Sequence, residues 1–122
     1  MPLKILIAED DQVMAQLVAT VVRKAGHVPT HAYDAMQTVM FAMRTPAPAL
    51  IILDINMPGG TGLDALLKLK RSAKTGQIPV VVLSGSTDQS LPTKVIEAGA
   101  VAFLPKPIDP VTLMAAIQDA LA

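Results

Sequence analysis

Apolar runs that stop abruptly at polar residues punctuate this chain. The strongest is LIIL at 50–53, which leads straight into Asp54 before the pattern breaks at Met57-Pro58-Gly59-Gly60. A short apolar run ending in turn signals predicts a strand buried on both faces. Such a strand delivers its last side chain, here a carboxylate, to the rim of a sheet. Similar runs occupy 3–8, 78–83 and 101–104, with a weaker one at 28–32. Pro29 removes a ladder donor, which marks 28–32 as an edge strand.

Helical spacing fills the intervals. Residues 12–25 carry apolar side chains at 14, 17, 18, 21 and 22, and Gly26 follows as a C-cap. Asp34 is placed to cap a helix over 35–44, stopped by Thr45-Pro46-Ala47-Pro48. Further helices are predicted over 61–73, over 90–98 with Pro92 in the first turn, and over 109–121. Strand and helix thus alternate five times, without internal repeat or linker. That pattern predicts an α/β domain over 1–122 with a parallel sheet between two helical layers. Right-handed crossovers and an edge second strand favour the doubly wound order 2-1-3-4-5. Ligands in such sheets bind beyond the carboxyl ends of the strands, where the order reverses, here between strands one and three.

Composition narrows the chemistry. The chain has 122 residues, enough for one domain with its own core. Ten Lys and Arg balance ten Asp and Glu, so nothing favours nucleic acid or an anionic membrane as a direct partner. Without cysteine there are no disulfides, thiolate metal sites or cysteine nucleophiles. No apolar run approaches the roughly 18 residues of a membrane span. The opening MPLKILIAEDD meets acids too early for a secretory signal, and a soluble cytoplasmic domain is expected.

The predicted rim collects reactive groups from four separate stretches. Strand one ends at Glu9-Asp10, strand three at Asp54, strand four at Ser84, and strand five at Lys106 after Pro105. Each alone has a plain explanation: Asp10 or Asp11 as a helix cap, Ser84 as a turn residue, Lys106 as a solvated cation. Together they are far more specific, because the fold brings them to one place. Two carboxylates about 4 Å apart repel by roughly 1–4 kcal/mol at effective dielectrics between 80 and 20. A cluster of them calls for a cation, and hard oxygen donors suit Mg²⁺ or Mn²⁺. With a divalent ion beside it, one carboxylate can act as a nucleophile toward a phosphoryl group.

These stretches resemble the response-regulator receiver domain, the family of the bacterial chemotaxis response regulator, over essentially the whole chain. The matching motifs are Ile7-Ala8-Glu9-Asp10-Asp11, Asp54-Ile55-Asn56-Met57-Pro58 with Gly62, Leu83-Ser84-Gly85, and Phe103-Leu104-Pro105-Lys106-Pro107. The resemblance implies the flavodoxin-like receiver fold with five helices. It implies Asp54 as phospho-acceptor, Asp10 as a direct Mg²⁺ ligand, Glu9 acting beside the metal or through its waters, and the Asn56 backbone carbonyl completing the set. Ser84 takes the switch hydroxyl position, Phe103 the switch aromatic, and Lys106 pairs with the phosphoryl group. The Lys106–Pro107 bond is expected to be cis. Asn56 and Ser86 occupy positions that tune phosphoryl lifetime across the family. The implied donor is a sensor histidine kinase or a histidine phosphotransfer protein. It would dock against helix one, where Met14, Ala15 and Val18 lie, and the loop of Pro107 and Ile108. The implied output face is helix four, strand five and helix five, toward an unspecified target.

Other features read more plainly. His27 and His31 fall near the edge strand, away from the acids. Lys68, Lys70, Arg71 and Lys74 read as solvated cations near a helix C-terminus. The Gly59-Gly60-Thr61-Gly62 loop lacks a following Gly-Lys-Ser/Thr and is no nucleotide cradle. In the last helix, Leu113, Ile117 and Leu121 form the expected core stripe. Met114, Ala115 and Ala122 are left for solvent or for a homodimer or target contact.

The implied function is a phosphorylation-controlled switch in a two-component phosphorelay. It would catalyse its own phosphotransfer and dephosphorylation without turning over an external metabolite. Two alternatives differ in kind. An aspartate-nucleophile phosphatase would need an acid two residues after the nucleophile, where this chain has Asn56. A phosphorylation-independent adaptor on the same fold would typically have lost the acceptor, an acid or the lysine, all of which are present. The pattern ends with the fifth helix and leaves open both a stand-alone receiver and part of a longer regulator.

Overall fold

The computed structural model describes residues 2–57 and 62–122. Strands β1 (Lys4–Ala8), β2 (Val28–Ala32), β3 (Leu50–Asp54), β4 (Val80–Ser84) and β5 (Ala102–Pro105) alternate with five helices. These are α1 (Gln12–Lys24), α2 (Ala35–Ala42), α3 (Gly62–Arg71), α4 (Leu91–Glu97) and α5 (Pro110–Leu121). The sheet is parallel, in the order β2-β1-β3-β4-β5. The sequence alternation leads to the same doubly wound arrangement, with the proline-bearing strand at the edge.

Side chains on successive strand residues point to opposite faces, and both faces are covered. On one, Ile5, Ile7, Ile52, Val81 and Leu83 pack with Val18 and Val22 of α1 and Leu113 and Ile117 of α5. On the other, Leu6, Ile51, Leu53, Val80 and Val82 pack with Leu66 and Leu69 of α3 and Val95 of α4. All five residues of β3 and of β4 are buried. Each fully buried Leu, Ile or Val contributes about 1.5–3 kcal/mol, so the central strands hold the rim residues on a rigid base. No helix among the described residues is long and apolar enough to cross a membrane.

Several expectations need correcting. The predicted helix start at Thr61, and the residues Pro58, Gly59 and Gly60, lie outside the described residues. The second helix stops at Ala42 rather than Arg44, because the chain tightens there: Arg44 N bonds Phe41 O, three residues back, ahead of Pro46. β4 starts at Val80, not Ile78, since Pro79 has no N–H to give the ladder. Asp34 caps α2 through Gln37 N at 2.7 Å.

Lys70 is not a solvated cation. Its Nζ donates to Gly76 O at 3.2 Å and Ile78 O at 2.7 Å, and burial lowers its pKa. Lys68, Arg71 and Lys74 are exposed. On α5, Leu121 is only half-buried at the end of the stripe. Met114 packs against the core instead of standing free, while Ala115 and Ala122 are exposed.

Candidate functional site

Parallel register sets the site. Ala8 pairs with Leu53, Asp54 with Leu83, and Ser84 with Pro105, so the strand ends form a short stair across the sheet. Backbone bonds carry the ladder past the strands: Glu9 N to Ala32 O, Ile55 N to Leu83 O, and Lys106 N to Ser84 O. Each functional side chain therefore leaves the sheet from a fixed backbone position.

Of the first acidic run, Asp11 is the cap. Its Oδ1 accepts from Val13 N at 2.9 Å and Met14 N at 3.2 Å, which ties up the start of α1. Asp10 is left exposed at the mouth of the site, while Glu9 turns inward and is buried. Asp54 is only 2% exposed. Carboxylate oxygens of Glu9, Asp10 and Asp54 lie within 4.8 Å of one another. Lys106 closes the group from β5, with Nζ 2.8 Å from Glu9 Oε1 and 3.1 Å from Asp54 Oδ2.

The electrostatics follow from that crowding. Burial pushes the Glu9 carboxyl up to about 7; Lys106 opposes the shift, and the Asp54 carboxylate adds to it. Burial works against the Lys106 charge as well, but the two carboxylates outweigh it and raise its pKa. Two buried acids share one ammonium, so the cluster is short of positive charge. Glu9 Oε1 is buried, with the Lys106 ammonium 2.8 Å away as its ion-pair partner. A divalent ion fits this donor set: carboxylate oxygens from three acids clustered around a single ammonium, with no competing thiol or imidazole in the cluster.

The remaining residues frame Asp54. Asn56 N donates to Asp54 Oδ1 at 3.0 Å. Ser84, 1% exposed, donates through Oγ to Asn56 Oδ1 at 3.1 Å and accepts from Ser86 N at 3.0 Å. That side-chain link between Asn56 and Ser84 has no signal in the sequence, where Asn56 stands out for its backbone carbonyl and as one of two lifetime-tuning positions. Gly62 N donates to Ile55 O at 3.0 Å, and a Cβ at Gly62 would lie 2.4 Å from both the Cα and the carbonyl oxygen of Ile55. The glycine that opens α3 is thus required by contact distance. Phe103, half-buried on β5, packs against the core cluster that includes Val95. The Lys106–Pro107 peptide bond is cis, as is Thr45–Pro46.

The docking residues expected on α1 are corrected in part. Ala15 and Val18 belong to the core, and Ile108 is buried beneath the loop, so none offers a surface. Val13 at 81% and Val111 at 77% are exposed apolar residues in the first turns of α1 and α5, and Pro107 is exposed next to Lys106. Met14 is half-buried.

The chain as a whole is similar to known proteins. The chain is 35% identical over 115 residues to the phosphate regulon transcriptional regulatory protein PhoB of Klebsiella pneumoniae, covering 94% of this chain and 50% of that one. It is 32% identical over 117 residues to the response regulator protein TodT of Pseudomonas putida, covering 96% and 50%. It therefore spans about half the length of these relatives. Among solved structures, the chemotaxis response regulator CheY4 of Vibrio cholerae superposes with a TM-score of 0.89 at 26% identity, covering 99% of this chain and 100% of that one. The fold is thus the flavodoxin-like receiver fold. Residues 5–118 match the response regulator receiver domain, and the chain belongs to that family.

Proposed function

We propose that this domain accepts a phosphoryl group on Asp54 from a phosphohistidine donor and uses the modified state to change a partner-binding face. The observation that carries this reading is the setting of Asp54. It is buried, paired with Lys106 Nζ at 3.1 Å, and clustered with the Glu9 and Asp10 carboxylates. A structural aspartate has no use for two more acids beside it. A phospho-acceptor does.

Glu9, Asp10, Asp54 and the Asn56 backbone carbonyl are the groups that would hold Mg²⁺, with Mn²⁺ as a substitute. Bound there, the ion would neutralise charge on the phosphoryl oxygens. The residues do the rest. An Asp54 carboxylate oxygen forms the new bond to phosphorus as the N–P bond of the donor breaks, and the departing imidazole takes a proton from solvent. The Asn56 N–H on Oδ1 fixes the orientation of the acceptor. Lys106 follows the charge from carboxylate to phosphoryl oxygen, and Ser84 supplies a hydroxyl donor. Water later attacks phosphorus, releasing inorganic phosphate and restoring Asp54. No external metabolite is turned over.

The added dianion is a local charge event that biases a two-state element. Drawing Ser84 and Lys106 inward leaves space for Phe103, which alters the face of α4, β5 and α5. Partners on this reading are a sensor histidine kinase or histidine phosphotransfer protein upstream, in the cytoplasm, and a target or output domain downstream.

Incubation with acetyl phosphate, with and without Mg²⁺, followed by intact mass, tests the proposal. The expected result is one phosphoryl group, dependent on metal and absent in Asp54→Ala. Failure with both acetyl phosphate and a phosphohistidine protein overturns it.

A further inference from the structure

Ser84 has a single hydroxyl proton, and that proton is already in use. It goes to Asn56 Oδ1 at 3.1 Å, while Ser84 Oγ accepts the Ser86 N–H at 3.0 Å. From Ser86 the bonding continues in steps of two residues. Asp88 N donates to Ser86 Oγ at 3.1 Å, and Ser90 N donates to Asp88 Oδ1 at 2.9 Å. Ser90 stands at the N-cap position of α4 but gives that helix no side-chain cap; its hydroxyl donates to Asp88 Oδ1 at 2.7 Å instead. A staircase of hydrogen bonds thus links a buried hydroxyl on the sheet to the start of α4. The hydroxyl itself is held by Asn56.

A phosphoryl group on Asp54 offers Ser84 an anionic acceptor, and charge-assisted hydrogen bonds are roughly twice as strong as neutral ones. One proton cannot serve both acceptors. We propose that the Asn56 side chain is a positioning residue, a resting-state latch. It holds the Ser84 hydroxyl, and with it the staircase over 84–90, until the phosphoryl group takes the proton. Asn56 is exposed and lines a cleft of about 520 Å³ with Met57, Ser86, Asp88 and Leu91, so its carboxamide has room to withdraw. Its backbone carbonyl, the atom assigned to the metal, is unaffected by replacing the side chain. The phosphoryl competitor rests on the function proposed above; the resting bond does not.

Two measurements on Asn56→Ala, Ser84→Ala and the double variant test the latch. In calorimetric titrations with beryllofluoride and Mg²⁺, Asn56→Ala is expected to bind about two- to fivefold more tightly than wild type, the worth of one partly exposed neutral hydrogen bond. In the Ser84→Ala background the same change is expected to shift affinity by less than about 1.5-fold, because the coupled partner is gone. An equal gain in both backgrounds, or no gain with Ser84 present, overturns the latch.

In ligand-free protein, Ser84 Hα–Hβ couplings are expected to report one rotamer in wild type and averaging in Asn56→Ala, with faster exchange of the Ser86 amide. Asn56→Asp keeps an acceptor oxygen and is expected to restore both. Unchanged couplings and Ser86 protection in Asn56→Ala overturn the latch whatever the phosphoryl chemistry. If wild type binds no beryllofluoride while this second measurement comes out as expected, the phospho-acceptor reading fails and the latch stands.

Discussion

Lys106 Nζ lies 2.8 Å from Glu9 Oε1 and 3.1 Å from Asp54 Oδ2, so one ammonium serves two buried carboxylates. Removing it leaves the acids facing each other without compensation, which costs more than the pair itself is worth. Lys106→Met is expected to destabilise the metal-free protein by about 1–3 kcal/mol in urea titrations at pH 8. The value stays below that of a fully buried pair because the Lys106 side chain is 20% exposed and partly screened by solvent. Adding Glu9→Gln to Lys106→Met is expected to recover more than half of the loss. If Lys106→Met leaves the urea midpoint where it was, the ammonium is not balancing the acids.

The same crowding gives the metal-free protein a pH dependence. Burial, reinforced by Asp54, raises Glu9 from 4.5 to about 7 against the pull of Lys106. Between those values the folded protein keeps a proton that the unfolded chain releases. The Glu9 contribution to stability is therefore fully present below about 4.5 and is lost as pH rises through about 7. Thermal melts in chelator are expected to show wild type losing stability from pH 5 to 8 relative to Glu9→Gln. Saturating Mg²⁺ favours the deprotonated carboxylate and is expected to flatten or reverse that difference. A difference between wild type and Glu9→Gln that does not change with pH would remove Glu9 as the titrating group.

Local pattern and tertiary reach account for what the sequence made legible. The runs at 50–53 and 78–83 read as strands because both faces are buried, and Asp34 read as a cap because capping is a two- or three-residue affair. The convergence of Glu9, Asp54, Ser84 and Lys106 followed from strand order alone, since each sits at a strand end. Long or flexible side chains were another matter. Lys70 looks like any exposed helical lysine until the loop after α3 folds its carbonyls over it. The Asn56–Ser84 bond joins residues 28 positions apart, and no spacing rule points from one to the other. On α1, the stripe at 14, 17, 18, 21 and 22 does face the core, which is why Val18 offers no docking surface, while Val13, outside the stripe, faces solvent.

Lys70 supplies a prediction away from the acidic cluster. Its ammonium satisfies the carbonyls of Gly76 and Ile78, and its stem lies under Gly99, where a Cβ would come within 3.0 Å of Lys70 Cγ. Lys70→Met keeps the stem and removes the donor. The two carbonyls then lack their ammonium partner, at an expected cost of about 1–3 kcal/mol in denaturant titrations. Phosphorylation by acetyl phosphate is expected to be unchanged, because the contact lies at the end of α3 remote from Asp54. Loss of phosphorylation with stability intact would show that the two ends of the domain are coupled.

Two glycines near the ends of β3 and β4 are expected to behave in opposite ways. A methyl group at Gly62 would meet the Ile55 Cα and carbonyl oxygen at 2.4 Å, and backbone cannot yield as a side-chain tip does. Gly62→Ala must therefore push α3 away from the end of β3 and strain the Gly62 N to Ile55 O bond that fastens them. Overpacking of this kind costs about 1–3 kcal/mol. At Gly85 the nearest atom to an added Cβ is Lys106 Cβ at 3.8 Å, an ordinary van der Waals distance. Gly85→Ala is expected to change stability by less than about 0.5 kcal/mol. Urea midpoints for the two variants, measured side by side, separate close backbone approach from mere proximity to the site. Equal midpoints would mean that the β3–α3 junction relaxes far more readily than its contact distances imply.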